Sequence, residues 1–582
     1  MSDRHQKILM LLVGLGVFLG CSGIIAKMVF LRIHETEGKA KQFIASRRTY
    51  RELKAARGKI LDRNGKILAM DKLMIKVAVD PVFMREQSVS FEDTARILSE
   101  HLVQDSDTLN GLFEANSNRR YVPLTDFGNH ITIDVADAIR TNKLKGVRLD
   151  EELVRFYTEG KTLSQLLGIV NAKQDGVYGI EQRYDKYLKS TPGLIQGERD
   201  ARQKEIHPRR MVDLRPRRGS DVTLTIDQYT QYIVEKELIA AVEEQGALGG
   251  WAILQKVKTG EILAMVGCPS FDPLNFRFSA DDTAKTDLFR NRCIGDSFEP
   301  GSIFKVAVIA AAFNEGLIQK DQIINCEHGT WHYGGRPLRD YHPYGELSVA
   351  DVVKKSSNIG SAKIALMLGN SGLYNYLRAF GIGSKTGVEL PGEELGLLYP
   401  VNKWTAISPT RIAMGHEVAV TALQMLNMMC AVGNNGRLMQ PYIVSKVVDW
   451  RGVVISEGNP KQIGRPITAQ TASLMCTLLA RVTDQGGTGR SAALEGYRVA
   501  GKTGTAQKPI PGGYSSTLNI SSFMGLVPAH APELGMIVVL DSPKKQRTGG
   551  GSAAPVFKRA MQPLLKYYDV PPDQVQLASD NH

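Results

Sequence analysis

A serine and a lysine three residues apart could form a nucleophile and its base. Ser302 is followed one helical turn later by Lys305, and an apolar, alanine-rich run extends over 306–313. Pro300 and Gly301 disfavour a helix interior, so the pattern predicts that Ser302 lies at a helix N-terminus. Residues three apart then share a helical face. A serine hydroxyl needs a base to take its proton, and a lysine that burial and nearby positive charge hold neutral is such a base.

Ser-x-x-Lys alone is a weak signal, and this chemistry requires two further motifs, Ser-x-Asn and then Lys-Thr/Ser-Gly. Ser-Ser-Asn at 356–358 and Lys-Thr-Gly at 502–504 supply them in that order. The lysine of the last motif follows a strand-like segment, and two more strand-like runs come after it at 522–527 and 536–541. An edge strand beside a cleft is therefore expected there. The candidate catalytic residues are Ser302, Lys305, Ser356, Asn358 and Lys502.

Three other matches to these motifs are less favourable. Ser542 of the Ser-x-x-Lys match at 542–545 precedes a proline, which forces that serine out of helical geometry. The Lys-Thr-Gly at 385–387 comes soon after Ser356 and runs into a loop, and the Ser-Asp-Asn at 579–581 lies in the last four residues. We expect none of them to belong to the site.

The N-terminus predicts a membrane anchor. The segment from Ile8 to Ala26 is uncharged and is flanked by basic residues, and its length suffices to cross a bilayer. We assign 1–7 to a cytoplasmic tail and 8–28 to the anchor. Two alternatives stay open: a cleaved signal peptide, and lipidation at Cys21, because 18–21 loosely resembles a lipoprotein cleavage box that lacks its usual leucine.

Length and composition predict a globular protein of several domains. The chain has 582 residues, 43% apolar and 23% charged, with a formal charge of +12. Its densest basic cluster, 199–218, has neither interleaved aromatic residues nor a nucleic-acid motif. This favours a solvated loop or contact with an anionic surface over nucleic acid.

Cysteine and histidine spacing supports neither a disulfide framework nor a metal site. The six cysteines show no paired spacing. Cys326, His328 and His332 lie in a glycine-rich stretch, which predicts a structural loop over 326–345 rather than a helix that presents metal ligands. No metal or cofactor is expected.

The order of predicted elements gives an α/β (α+β) fold. Residues 29–220 look like a non-catalytic, mixed α/β region, with helices expected over 33–54 and 91–115. Residues 221–568 have strands at both ends and helices between them, which predicts an antiparallel sheet packed beside a helical subdomain. A polar tail, 569–582, follows.

With these motifs in view, the chain resembles a class B penicillin-binding protein of the division (FtsI-like) type. The resemblance extends over nearly the whole sequence and is carried by Arg57-Gly58, 62–65, 179–181, 224–227, 299–302, Trp404, 414–416, 421–424, 501–507, 523–528 and 554–557. One departure is Met-Gly-His at 414–416, where the family more often has Phe-Gly-Gln or Phe-Gly-Tyr. The resemblance implies a pedestal that contacts partners, followed by a serine β-lactamase/penicillin-binding transpeptidase fold.

The resemblance also implies a mechanism. Lys305 deprotonates Ser302, which attacks the carbonyl of the penultimate D-alanine of a peptidoglycan stem peptide. The backbone N–H groups of Ser302 and Thr505 form the oxyanion hole. Ser356 relays the proton to the leaving D-alanine, and Lys502 keeps the local field positive.

The remaining implied site residues bind substrate. Asn358 holds the substrate's amide, and the 503–505 segment (Thr503, Gly504, Thr505) binds the donor, with the two threonine hydroxyls on its terminal carboxylate. An amine from a neighbouring strand then resolves the acyl-enzyme. β-Lactams would trap Ser302, and neither metal nor cofactor is needed.

The implied setting is the bacterial cytoplasmic membrane at the division septum. The anchor would be single-pass and the catalytic domain periplasmic. Because basic residues are denser after the anchor than before it, the positive-inside rule alone would place that domain inside; long domains translocate largely regardless of charge. Implied partners are lipid-linked precursor strands, a membrane-embedded septal glycosyltransferase and other division proteins.

Rival interpretations remain. A class A β-lactamase needs a glutamate for its hydrolytic water, and no Glu-x-x-x-Asn follows Ser302. A β-lactam sensor would carry several membrane spans or a signalling module. An elongation-type class B transpeptidase and a division scaffold with a dispensable transpeptidase fold stay open.

Overall fold

The computed structural model describes residues 3–35, 48–125, 129–198, 212–274 and 287–573. The chain divides into two compact units, Met1–Ala56 with Ser190–Arg218, and Arg57–Lys189 with Gly219–His582. Most of the basic cluster 199–218 and all of the 579–581 motif lie outside the described residues.

The first unit contains the N-terminal helix and a small sheet. The helix Asp3–Phe30 continues into a π-helical turn, Leu31–Glu35, and the stretch Lys7–Ile33 is long and apolar enough to cross a membrane. Three antiparallel strands follow, with the second in the middle: Arg48–Leu53, Gly193–Glu198 and Val212–Leu214. The helix predicted over 33–54 is therefore wrong at 48–53, and 36–47 lies outside the described residues.

In the second unit, a seven-stranded sheet includes strands from both sides of residue 220. Its order is Val454–Glu457, Val444–Val448, Asp221–Leu224, Ile60–Leu61, Ile67–Val79 and Val122–Pro123, with Val147–Tyr157 also paired to Ile67–Val79. The predicted Asn-Gly hairpin is present, and Gly65 has the positive φ (83°) that its turn requires. Helices Pro81–Glu86, Phe91–Ser99, Ser106–Ala115 and Ile133–Thr141 accompany this sheet. The helix predicted over 91–115 is in fact two helices.

Two of the motifs that carry the family resemblance meet in a buried ion network. Arg57 Nε donates to Glu181 Oε2 at 2.6 Å, and Arg155 Nε donates to Glu181 Oε1 at 2.7 Å. Arg155 also reaches Asp71 Oδ1 at 3.1 Å. All four side chains are at most 2% exposed. The pairing compensates for their lost hydration, so this network joins the two motifs within one core.

A five-stranded antiparallel sheet forms the centre of the second unit. Its order is Ile262–Cys268, Gly249–Lys256, Leu534–Asp541, Gly513–Val527 and Ala500–Ile510. Alternate residues enter two separate cores, as the two-residue period of a strand requires: Ala252 and Leu254 pack with helices Gln228–Gln245 and Ala553–Tyr567, and Ile253 lies in the core of the helical subdomain. The predicted antiparallel sheet with a helical subdomain is confirmed, and the Lys502 strand, Ala500–Ile510, is an edge.

Along the chain, helices lie between the first two strands of this sheet and its last three. They are Arg292–Gly295, Lys305–Asn314, Val349–Lys355, Asn358–Ala379, Ser408–Ile412, Ala422–Gly433 and Ala469–Ala480. Thr421 and Gln424 form a reciprocal capping box at the start of Ala422–Gly433. The predicted 326–345 loop contains a hairpin, Thr330–Tyr333 with Arg336–Arg339, whose turn residues Gly334 and Gly335 have φ of 58° and 75°. Glycines there signal a tight turn rather than a structureless loop.

Candidate active site

Ser302 lies in a short 3₁₀ turn, Gly301–Phe304, that leads into the nucleophile helix, Lys305–Asn314. The turn is packed closely from two sides. A Cβ on Gly301 would lie 2.9 Å from the Thr505 carbonyl oxygen, and one on Gly415 would lie 2.3 Å from the Gly301 oxygen. Ser302 lines a cleft of about 770 Å³. The close packing thus holds Ser302 between the Lys502 strand and the Gly415 loop.

Lys305 is buried behind the cleft, with 1% of its surface exposed. Its Nζ donates to the Ser356 carbonyl oxygen and to Asn358 Oδ1, both at 2.7 Å, and approaches Ser356 Oγ at 3.3 Å. Burial lowers the pKa of Lys305 to about 7, although the negative charge of Asp340 opposes the shift. A substantial fraction of Lys305 is therefore neutral at physiological pH, as a general base requires.

Lys502 reaches the same serine from the edge strand. Its Nζ donates to Ser356 Oγ at 2.9 Å and to the Thr503 carbonyl oxygen at 3.0 Å. Burial, and after it the charge of Lys305, hold the pKa of Lys502 well below its usual value. The Ser356 hydroxyl thus stands between two buried amines, which makes it a geometrically suitable proton relay.

Ser356 and Asn358 are presented by a sharp turn between two helices. Ser356 ends Val349–Lys355 with φ of 62°, an unfavourable conformation for serine that the surrounding contacts must maintain. Asn358 begins Asn358–Ala379. Its Oδ1 accepts from Lys305, and its Nδ2 donates to the Arg339 carbonyl oxygen at 2.8 Å. The protein therefore engages both ends of the Asn358 amide in this structure.

Asp340, which we did not single out from the sequence, holds that turn in place. One carboxylate oxygen accepts from Ser357 Oγ at 2.6 Å, and the other accepts from the backbone N–H groups of Asn358 and of Ile359, the latter at 3.1 Å. An anion there satisfies free N–H groups of the long helix and complements its dipole. Asp340 follows the hairpin in the predicted 326–345 loop, and no local motif marked it.

The predicted substrate-binding segment forms one wall of the cleft. Thr503, Gly504 and Thr505 all line it, together with Thr488 and Thr548, which the sequence analysis did not identify. Thr503 Oγ1 donates to Thr488 Oγ1 at 2.9 Å, and Thr505 Oγ1 accepts from the Gly549 N–H at 3.1 Å. Both hydroxyls are thereby oriented at the cleft wall.

The predicted oxyanion-hole donors lie on adjacent elements. Thr505 belongs to the free edge of the sheet, and its carbonyl oxygen packs against Gly301. Because the N–H and C=O of one strand residue point to the same edge, the Thr505 N–H is directed toward the Ser302 turn. The Ser302 N–H lies in the first turn of its helix, where backbone donors lack intrahelical partners.

All eight sequence-predicted site residues come together in this one place. Ser302, Ser356, Asn358 and 503–505 line the cleft, and the two lysines are bonded to Ser356 from behind it. The other motif matches are elsewhere: Thr386 donates its hydroxyl to Glu393, and Ser542 is buried and bonded to Asp541.

Two family models match the chain. The model of the penicillin-binding protein transpeptidase domain matches residues 250–562, and that of the penicillin-binding protein dimerisation domain matches 52–224. Fold and site therefore define a penicillin-binding transpeptidase domain that follows a dimerisation-type region in the chain. The chain belongs to the class B penicillin-binding proteins and is FtsI-like.

Individual relatives agree with this assignment. The peptidoglycan D,D-transpeptidase FtsI of Escherichia coli is 30% identical over 97% of this chain and 92% of its own, and stage V sporulation protein D of Bacillus subtilis is 32% identical over 99% and 87%. A peptidoglycan synthetase from Bifidobacterium adolescentis superposes with a TM-score of 0.70 at 28% identity, covering 91% of this chain and 98% of that one. Penicillin-binding protein 3 from Mycobacterium tuberculosis, solved with aztreonam, gives 0.68 at 27% identity over 90% and 98%. With these relatives, the apolar N-terminal helix indicates a single-pass membrane protein.

Proposed function

We propose that this protein is a peptidoglycan D,D-transpeptidase that cross-links stem peptides through an acyl-enzyme on Ser302. The observation that carries the proposal is the hydroxyl of Ser356, which accepts from Lys502 and lies within reach of Lys305 in the cleft that Ser302 lines. The E. coli relative that spans almost the whole chain is named a peptidoglycan D,D-transpeptidase.

In the acylation step, neutral Lys305 takes the Ser302 proton while Oγ attacks the penultimate D-alanine carbonyl. The developing oxyanion is stabilised by the N–H groups of Ser302 and Thr505. The C–N bond breaks, and the proton returns through Ser356 to the nitrogen of the leaving D-alanine. Lys502 supports the relay by donating to Ser356 Oγ. The terminal carboxylate would accept from the hydroxyls of Thr503 and Thr505, and the missing side chain of Gly504 lets Ser522 and the Pro300 carbonyl oxygen lie close to the strand.

In the transfer step, an amine of a second stem peptide attacks the Ser302 ester. A C–N bond forms, the ester C–O bond breaks, and the proton that the amine loses passes through the Lys305–Ser356 relay to Oγ. Asn358 would bind the donor's amide after releasing Lys305 or Arg339, since both ends of its own amide are engaged in the free protein. A β-lactam would acylate Ser302 in the same way.

We further propose a septal, periplasmic role. Residues 1–7 would lie in the cytoplasm, 8–28 in the membrane, 29–220 would form the partner-binding pedestal, 221–568 the catalytic domain and 569–582 the tail. The similarity to FtsI of Escherichia coli suggests a role in division, and we extend the proposal to work beside a septal glycosyltransferase and other division proteins. Localisation of a fluorescent fusion tests this: midcell enrichment is expected, and lateral-wall labelling would favour the elongation-type alternative.

The decisive experiment is labelling with a fluorescent penicillin. Wild-type protein in membranes should give a covalent band near 64 kDa, and Ser302→Ala should give none while remaining folded. Ser542→Ala, which alters the other Ser-x-x-Lys match, is the matched control and should label like wild type. If the wild type is folded but unlabelled, the proposed transpeptidase activity is overturned and the division-scaffold alternative is favoured. A band that is rapidly lost would indicate a β-lactamase.

A further inference from the structure

The cleft that Ser302 lines also carries a histidine paired with a carboxylate. His416 lines the cleft beside Ser302, and its Nδ1 lies 2.9 Å from Glu299 Oε2. Glu299 immediately precedes the Pro300–Ser302 segment. On the other side, Gly415 immediately precedes His416, and its carbonyl oxygen accepts the Gly301 N–H at 3.3 Å. The pair is therefore connected by backbone to both sides of the nucleophile turn.

The position of Glu299 is defined by three donors from two segments, 416–417 and the strand that carries Tyr514. Besides His416, it accepts the Glu417 N–H and the Tyr514 hydroxyl, both at 3.1 Å. The Tyr514 ring also packs edge-on against His416, with centroids 5.2 Å apart. Burial and the negative charge of Glu299 raise the pKa of Tyr514 to about 12, so the phenol stays a donor. Glu417 and Arg411 act on the same phenol with opposite signs.

This arrangement determines which histidine nitrogen can act in the cleft. A carboxylate at Nδ1 favours the tautomer with hydrogen on Nδ1, so Nε2 carries the free lone pair. Nε2 has no hydrogen-bond partner among the described residues and is not among the fully buried atoms that lack one. The side chain is 26% exposed and lines the cleft, so we take Nε2 as the nitrogen available there.

The chemistry of the acceptor gives such a group a task. The acyl acceptor is an aliphatic amine, which is an ammonium ion at neutral pH and cannot attack until it loses a proton. Lys305 and Lys502, whose pKa values are lowered by burial, already serve the Ser356 relay. The Glu299–His416 pair is anionic when His416 is neutral.

We infer that the Glu299–His416 pair is the subsite for the acceptor amine and takes its proton. The inference rests on the proposed transpeptidase function. The ammonium gives one proton to His416 Nε2, and Glu299 stabilises the resulting imidazolium. The free amine then forms the C–N bond, the ester C–O bond breaks, and Ser302 Oγ receives a second amine proton through the Ser356–Lys305 relay.

The test separates acylation from transfer on the full-length protein in detergent. A D-alanyl thioester donor acylates the enzyme, and product formation is measured with D-alanine, an ammonium acceptor, and with hydroxylamine, which is largely neutral at pH 7. His416→Gln keeps a hydrogen bond to Glu299 but cannot take a proton. We expect it to slow transfer to D-alanine by about tenfold or more while transfer to hydroxylamine falls less than about twofold. His530→Gln, which alters another histidine–carboxylate pair (Nδ1 to Asp573, 3.0 Å) away from the cleft, is the control.

If the transfer rate falls equally with both acceptors, His416 acts only through packing and the inference is overturned. The inference is also overturned if the rate of transfer to D-alanine does not fall. Penicillin labelling of the same samples distinguishes the two proposals. If the wild type forms no acyl-enzyme, the transpeptidase function itself fails. If labelling of His416→Gln is normal and the acceptor effect is absent, only the acceptor subsite fails.

Discussion

Lys502 Nζ and the Ser356 hydroxyl lie 2.9 Å apart, although the two residues are 146 positions apart in the chain. The same hydroxyl lies 3.3 Å from Lys305 Nζ. Burial lowers the pKa of both amines, and the charge of Lys305 lowers that of Lys502 further. The nucleophile's base is thus set by elements from three parts of the chain.

The first prediction concerns pH. Acylation by penicillin should rise by about tenfold per pH unit below pH 7 and level off above it, because only neutral Lys305 accepts the Ser302 proton and its pKa is lowered to about 7. As pH falls through that value, Lys305 becomes protonated and the activity is lost. Rate constants for labelling from about pH 5.5 to 8.5 test this. A flat profile would rule out Lys305 as the titrating base.

The second prediction concerns Asp340. Its negative charge favours protonated Lys305, so Asp340→Asn should lower the Lys305 pKa further and shift the acid limb of the acylation profile to lower pH. Weakened bonds to Ser357 and to the helix N-terminus should also cost about 1–3 kcal/mol of stability. Asp351→Asn, at another helix N-terminus, is the control. The Asp351→Asn variant should have a lower melting temperature but an unchanged acid limb in its acylation profile. If the acid limb of Asp340→Asn is also unchanged, the electrostatic role of Asp340 is contradicted.

The third prediction compares two glycines with nearly equal backbone geometry. Gly415 and Gly392 have φ of 80° and 78°, but only Gly415 has backbone within 4 Å of an added Cβ. Gly392→Ala should cost about 1–2 kcal/mol, the conformational penalty alone. Gly415→Ala should cost more and slow acylation by about 100-fold, because the methyl group displaces the Gly301–Ser302 turn. Thermal melts and labelling rates measure both effects, and equal behaviour of the two variants would refute the close-packing argument.

The fourth prediction concerns the buried ion network. Glu181→Gln leaves the guanidinium groups of Arg57 and Arg155 without a full counter-charge, so we expect a loss of about 3–5 kcal/mol in the free energy of unfolding. Asp137→Asn, which breaks an exposed pair with Arg140, should change it by less than about 1 kcal/mol. Chemical denaturation measures both. If Glu181→Gln has only a small effect, water or a rearrangement must compensate for the counter-charge that the two arginines lose.

Much of the site could be predicted from the sequence because its parts are locally encoded. The proline and glycine before Ser302 mark a helix start, Asn64-Gly65 marks a hairpin, and apolar runs after Lys502 mark strands. The predictions failed where local signals conflict with distant pairing. Residues 48–53 form a strand because they pair with 193–198, and 330–339 form a hairpin although their glycines resemble those of a loop.

By itself, the sequence determined the identity and order of the three motifs, the apolar N-terminal helix and the α/β class, since each depends on residue type, spacing or periodicity. Only the tertiary structure decided which groups are buried and what they contact. The pKa of Lys305 is lowered to about 7 because burial excludes water from its amine, and Glu299 meets His416 because two loops approach one turn. Burial and hydrogen-bond partners depend on residues far apart in the chain, which no local pattern specifies.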